Sequence, residues 1–224
     1  MTSTPGERDE RLLHRLEAFS DLVIGFSLAL VAFTLVIPAH TADLFRDAWW
    51  IITYFWTFAF IGNIWFNHQR LFAEYFVPRP LSIFLNFVLL SMLGLIVFFV
   101  QVFGRMRLEH DRFLAFIGYF AIFGLTTTIL GVLFAIGTRE RWPMLDAAAR
   151  RWGINACVRR FVVGAAVLIG VALSATTSPR ATMRDVLPLM YCVIAGIVAW
   201  RLGMRVLSSR IDAIVSRSVI ADHA

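Results

Sequence analysis

The residues from Leu22 to Ile37 carry no charge, and the run ends at Pro38. Five further apolar runs follow, near residues 48 to 67, 82 to 103, 113 to 137, 157 to 176 and 186 to 207. A helix needs about 20 apolar residues to cross a hydrocarbon layer of about 30 Å, and each run approaches or exceeds that length. Strands are usually far shorter than these runs. The pattern predicts an all-α integral membrane protein with six transmembrane helices in one domain over residues 1–224. A short lead-in precedes the first helix, and a helical tail follows the last.

Helical periodicity divides the first helix into faces. Phe19, Phe26, Leu30, Phe33 and Ile37 fall on one bulky stripe, with Ser20, Ser27 and Thr34 beside it at heptad spacing. Asp21, Gly25, Ala29 and Ala32 form a third face, where small side chains let a neighbouring helix approach closely. Upstream, Thr4-Pro5-Gly6-Glu7 has the form of a helix start: a capping Thr, Pro in the first turn and Glu three residues after the cap. A helix from Pro5 to Ile37 would be about 50 Å long at 1.5 Å per residue, so Arg8, Arg11 and Arg15 lie on a lead-in outside the hydrocarbon.

Composition narrows the class. With 59% hydrophobic residues, 16% charged residues and a mean hydropathy of +0.73, the chain is too apolar for a soluble domain of this size. All 21 basic residues are arginine, and the formal net charge is +6. On a soluble chain that excess would suggest nucleic acid; here the arginines sit in the gaps between apolar runs. With six crossings and both termini in the cytoplasm, fifteen arginines fall inside and six outside, which is the orientation that the positive-inside rule selects. Trp49, Trp50 and Trp142 stand at predicted helix ends, where amphipathic rings anchor at headgroup level. The basic stretch from Arg139 to Arg160, interrupted by Pro143, is predicted to be an interfacial connector.

Several chemistries find no support. Cys157 and Cys192 are isolated and have no His at ligand spacing, so neither a disulfide framework nor a metal site is indicated. The first twenty residues lack the short apolar core and cleavage site of a signal peptide. There is no Gly-rich phosphate loop and no Gly-x-Ser-x-Gly elbow, and His14, His40, His110 and His223 are scattered, so neither a nucleotide-driven pump nor an enzyme is expected. No cofactor is implied.

One polar cluster does stand out. Asn63, Trp65, Asn67 and His68 lie near the end of the second run and Asn86 early in the third, able to reach the level of Arg15, Ser20 and Asp21. A charged side chain at the bilayer centre costs roughly 3 kcal/mol on insertion scales, so Asp21 is expected to face protein and to share a cross-helix hydrogen-bond network. Arg15 is the nearest candidate counter-charge, but its place six residues earlier rules out the ideal i, i+4 geometry, and another helix or subunit is the alternative source of a partner.

The string Arg15-Leu16-Glu17-Ala18-Phe19-Ser20-Asp21 at the head of the first membrane helix resembles the signature of prokaryotic members of the lysosomal potassium channel family, transmembrane protein 175. The resemblance extends through Gly62-Asn63-Ile64-Trp65-Phe66-Asn67-His68-Gln69-Arg70 and Leu85-Asn86-Phe87, covering the first 100 residues or so. It implies a homotetramer whose four first helices line a central path for potassium and other monovalent cations across the bilayer. It implies too a constriction at Phe26, Leu30 and Phe33, with Ser27 and Thr34 adjacent. Arg15, Phe19, Ser20, Asp21, Trp65, His68 and Asn86 would hold the helices that position it.

The chain departs from the family where it has Phe26 in place of an aliphatic residue, Ala29 in place of Thr and Phe33 in place of Leu. Two other functions fit the same residues. A proton-coupled secondary transporter would use Asp21 and His68 as relay groups, and a non-conducting scaffold would keep the assembly with its pore blocked by the two Phe rings.

Overall fold

The computed structural model describes residues 5–33, 35, 48–106, 108–176 and 181–203. Six long helices account for most of these: α1 (Pro5–Ala32), α2 (Ala48–Arg70), α3 (Pro80–Arg105), α4 (Glu109–Glu140), α5 (Ala147–Thr176) and α6 (Leu187–Gly203). Of these, α3, α4 and α5 are both long and apolar enough in their described residues to cross a membrane. α1 carries its charged lead-in, and α2 carries Trp, Tyr and Asn side chains that lower its hydropathy.

The helices begin and end where local chemistry dictates. α2 passes into a wide turn at Leu71–Tyr75, closed when the Phe76 amide donates to the Leu71 carbonyl over 2.7 Å. Pro80 then occupies the first turn of α3, where its missing N–H costs nothing. The connector between α4 and α5 is much shorter than the sequence pattern suggests. It runs only from Arg141 to Asp146 around a 3₁₀ turn at Trp142–Met144, and Asp146 Oδ1 caps α5 by accepting from the Ala149 amide at 2.6 Å. The predicted connector from Arg139 to Arg160 is thereby corrected: Arg150, Arg151, Arg159 and Arg160 belong to α5 itself. Ala-rich sequence with long basic side chains propagates a helix well, and the stems of such side chains can lie along apolar surface. The proposed Thr4 cap, the stretch through Pro38 and the C-terminal tail lie outside the described residues.

The most extensive packing is α4 against α5 and α3 against α4, while α1 rests chiefly on α2 and α3. Ile24 and Val31 of α1, Ile61 of α2, Leu89, Leu93 and Ile96 of α3 and Phe134 of α4 are fully buried in one continuous core. Tyr75 is locked into the turn after α2. Its hydroxyl donates to the Ala149 carbonyl at 2.8 Å, and burial raises its phenol well above the usual range, so it stays a donor. α1 thus stands at the edge of the bundle, with one side on the core and the other open.

Candidate functional site on the first helix

Consecutive residues on a helix point about 100° apart, and α1 lies between two neighbours. Ser20 and Asp21 use that angle to bind one neighbour each. Ser20 is fully buried and faces α3, where its hydroxyl accepts from Asn86 Nδ2 at 3.0 Å and donates to the Leu16 carbonyl at 2.8 Å. Asn86 Oδ1 then faces His68 Nε2 at 2.8 Å. Because the Asn86 amide nitrogen is engaged by Ser20, its oxygen accepts, and the His68 ring must carry its proton on Nε2. One chain of hydrogen bonds therefore ties α1, α3 and α2 together. The His68 ring stacks on Phe72 at 4.5 Å, and its Nδ1 is buried with no partner.

Asp21 faces α2. Its Oδ1 accepts from the Trp65 indole at 3.1 Å and from the Gln69 amide at 2.5 Å. Where the sequence suggested Arg15 as counter-charge, the carboxylate is held instead by two neutral donors one turn apart on α2, while Arg15 is exposed on the lead-in. Six residues separate Arg15 from Asp21, which puts them on different sides of α1. Gln69 was missed in the sequence although its place four residues after Trp65 puts both donors on one face. Phe19 leans on Phe87 of α3, ring centroids 5.7 Å apart.

The expected single network is three separate sets. Besides the two above, Asn67 donates to the Asn63 carbonyl and side-chain oxygens at 2.6 and 3.1 Å and accepts from Arg159 of α5 at 3.4 Å. All three lie at the same end of α2, and the two that hold Ser20 and Asp21 fix the rotation of α1 about its own axis.

That rotation decides what α1 presents. Ser20, Ile24, Ser27 and Val31 are buried against α2 and α3, whereas Leu22, Phe26, Leu30 and Phe33 are exposed, Phe26 at 62% and Phe33 at 80%. The three residues expected at a constriction therefore share the open side, with Leu30 at its flank. Ser27 does not stand beside them: it is 4% exposed, turned into the chain's own bundle, and donates to the Val23 carbonyl at 2.9 Å. Thr34 lies outside the described residues. Gly25 is open, with nothing near the position a side chain would take, so no helix of the same chain packs on the small-residue face there. Among the described residues no group of three or more His, Cys, Asp or Glu could hold a metal ion.

An edge helix pinned by short polar bonds, with an open apolar face, in a bundle of long apolar helices is the framework of a multi-pass membrane protein. Comparison with known proteins finds a family match for part of the chain. Residues 15–96, the segment that contains the hydrogen-bond sets on α1, α2 and α3, match the family described as the endosomal/lysosomal potassium channel TMEM175.

A potassium channel of Marivirga tractuosa is 31% identical over 116 residues, 52% of this chain; the match spans 44% of that protein's length. Two solved structures share the fold at 19% identity. One is a TMEM175 homologue from Chamaesiphon minutus, described as a lysosomal potassium-selective channel (TM-score 0.63, covering 86% of this chain and 97% of that one). The other is a threonine-to-alanine variant of the potassium channel MtTMEM175 bound to a nanobody–MBP fusion (TM-score 0.61, 87% and 93%). Residues 15–96 thus match the TMEM175 family, and the chain as a whole shares the fold of the two solved TMEM175 structures.

Proposed function

We propose that the chain is a potassium-preferring monovalent cation channel, assembled as a homotetramer with both termini in the cytoplasm and all six helices crossing the membrane. Four copies of α1 surround the ion path, and Phe26, Leu30 and Phe33 form its constriction. The observation that carries this reading is the orientation of α1: its polar residues are turned into the chain and held there, while its bulky apolar stripe is left open at the edge of the bundle. An edge helix with such a face is completed by further copies of itself, and closed rotational symmetry is the usual way to do so.

An apolar constriction controls ions through the cost of removing water and through dewetting of the narrow part. Sodium holds its hydration shell more tightly than potassium and is the more strongly excluded. Phe26 and Phe33 replace smaller family residues, so this pore is narrower than its relatives' or closed at rest. Asp21 and His68 serve as positioning residues, since their polar atoms face α2 and α3 and not the open stripe.

The test is potassium and sodium flux into liposomes containing purified protein, for the wild type and for Phe26→Ile combined with Phe33→Leu. Potassium flux exceeding sodium flux in the wild type, or appearing only in the double variant, is the expected result. Silence in both, with the protein still assembled, would replace this reading with that of a non-conducting scaffold.

A further inference from the structure

A second polar feature, distinct from the ion path, lies on the other side of α2. There a cavity of about 410 Å³ opens between α2, α4, α5 and α6, lined at one end by Arg159, Arg160 and Asn63 and elsewhere by apolar and aromatic side chains. Arg160 is only 4% exposed. Its Nη1 donates to the Ala156 carbonyl at 2.8 Å and its guanidinium lies over the Phe134 ring at 4.4 Å, but its Nη2 is buried with no hydrogen-bond partner. Arg159, next to it, is half-buried, reaches Asn67 Oδ1 at 3.4 Å and lies over Trp200 at 5.6 Å.

Two adjacent guanidinium groups in a partly buried cavity call for a negative charge. Among the described residues the chain does not supply one. α2, α5 and α6 contain no Asp or Glu, and α4 has them only at its ends, where Glu140 is held by Arg79 at 2.9 Å. Among the described residues neither Arg159 nor Arg160 is paired with a carboxylate. The arrangement is nonetheless built for close packing: a side chain at Gly131 of α4 would press on Arg160 Cβ at 3.0 Å.

Away from the arginines the cavity runs along Phe60 to Trp56. Trp56 is shared with a second cavity of about 260 Å³, whose lining is almost wholly apolar. A charged mouth leading to an apolar channel matches an amphiphile.

We infer that this cavity binds an anionic membrane lipid, with the phosphate of its headgroup on Arg159 and Arg160 and an acyl chain lying along Phe60 and Trp56. Basic pockets between membrane helices are the setting in which anionic headgroups are recognised. The inference rests on the chain lying in a bilayer and not on its conducting ions, so it survives a failure of the flux experiment.

Binding of dioctanoyl phosphatidic acid and dioctanoyl phosphatidylcholine to the full-length protein in non-ionic detergent tests it, read by native mass spectrometry. Inorganic phosphate is added as a competitor at the lipid concentration. Phosphatidic acid should bind at least about tenfold more tightly than phosphatidylcholine, and Arg159→Gln and Arg160→Gln should each weaken it about tenfold, as expected for a lost charge-assisted hydrogen bond. Arg105→Gln, on an exposed residue at the end of α3, should leave it unchanged. If Arg160→Gln does not yield assembled protein, Arg159→Gln alone decides. Equal binding of the two lipids, an unchanged affinity in Arg159→Gln, or full displacement by inorganic phosphate would each overturn the inference, the last by placing a free anion where the lipid is proposed.

Discussion

Asp21 keeps its place at the mouth of an apolar helix because two donors on α2 satisfy the same carboxylate oxygen. Asp21→Ala removes both bonds and leaves Trp65 and Gln69 without their acceptor. The yield of assembled protein in size-exclusion chromatography should fall, while the ratio of potassium to sodium flux in what remains should be unchanged. A normal yield with an altered ratio would put Asp21 in the ion path. Asn86 has the more demanding role, since it is both donor and acceptor between Ser20 and His68. Asn86→Ala orphans a buried imidazole N–H, at a cost of about 1–3 kcal/mol, and takes away the bond that the Ser20 hydroxyl accepts while leaving its own bond to the Leu16 carbonyl, so the thermal midpoint of the purified protein should drop clearly. An unchanged midpoint would show that water replaces the amide.

At this scale Ser20, Asp21, Trp65, His68 and Asn86 were legible because each is a polar interruption of an apolar run. Their pairing was not. It depends on which of two adjacent helices each side chain meets, and a sequence shows spacing along one helix only.

Among the elements, the turn at Leu71–Tyr75 has the most exacting fit. α4 passes so close that a methyl group at Gly137 would collide with the Tyr75 carbonyl oxygen, and one at Gly153 of α5 would collide with Thr138 Oγ1 and press on the Tyr75 ring. Gly137→Ala must therefore push α4 away from the turn, and overpacking of this kind costs typically about 1–3 kcal/mol. The expected outcome is a lower thermal midpoint and less assembled protein, whereas the same change at Gly62, where nothing lies near the added methyl, should be neutral or nearly so.

Helix existence follows from runs of apolar residues: among the described residues each of the six runs falls on a helix, and three of those helices are long and apolar enough to cross a membrane. Their ends follow from other chemistry. α5 starts at Ala147 and not near residue 157 because arginines read as loop residues by hydropathy, although they are good helix formers whose stems pack on apolar surface.

For the whole molecule, the open face of α1 carries the main prediction. If four copies meet there, the protein should have a mass in detergent about four times the 25.4 kDa of one chain. Phe33→Cys, in a background with Cys157 and Cys192 replaced by Ala, should then form disulfide-linked chains on mild oxidation. Ile169→Cys, also exposed but on α5, a helix on which α1 does not rest, should not. Linked chains from Ile169→Cys alone would move the interface to α5.

The sequence by itself determined the all-helical membrane class and the family signature in residues 15–96, because burial in hydrocarbon demands long apolar runs and leaves every polar interruption conspicuous. Tertiary structure alone decided how α1 is rotated, that Ser27 turns inward, that Gln69 takes the place expected of Arg15, and that Arg159 and Arg160 share a cavity with no counter-charge among the described residues. Those facts depend on which helices become neighbours and at what angle, and such relations between distant parts of the chain exist only once the bundle has packed.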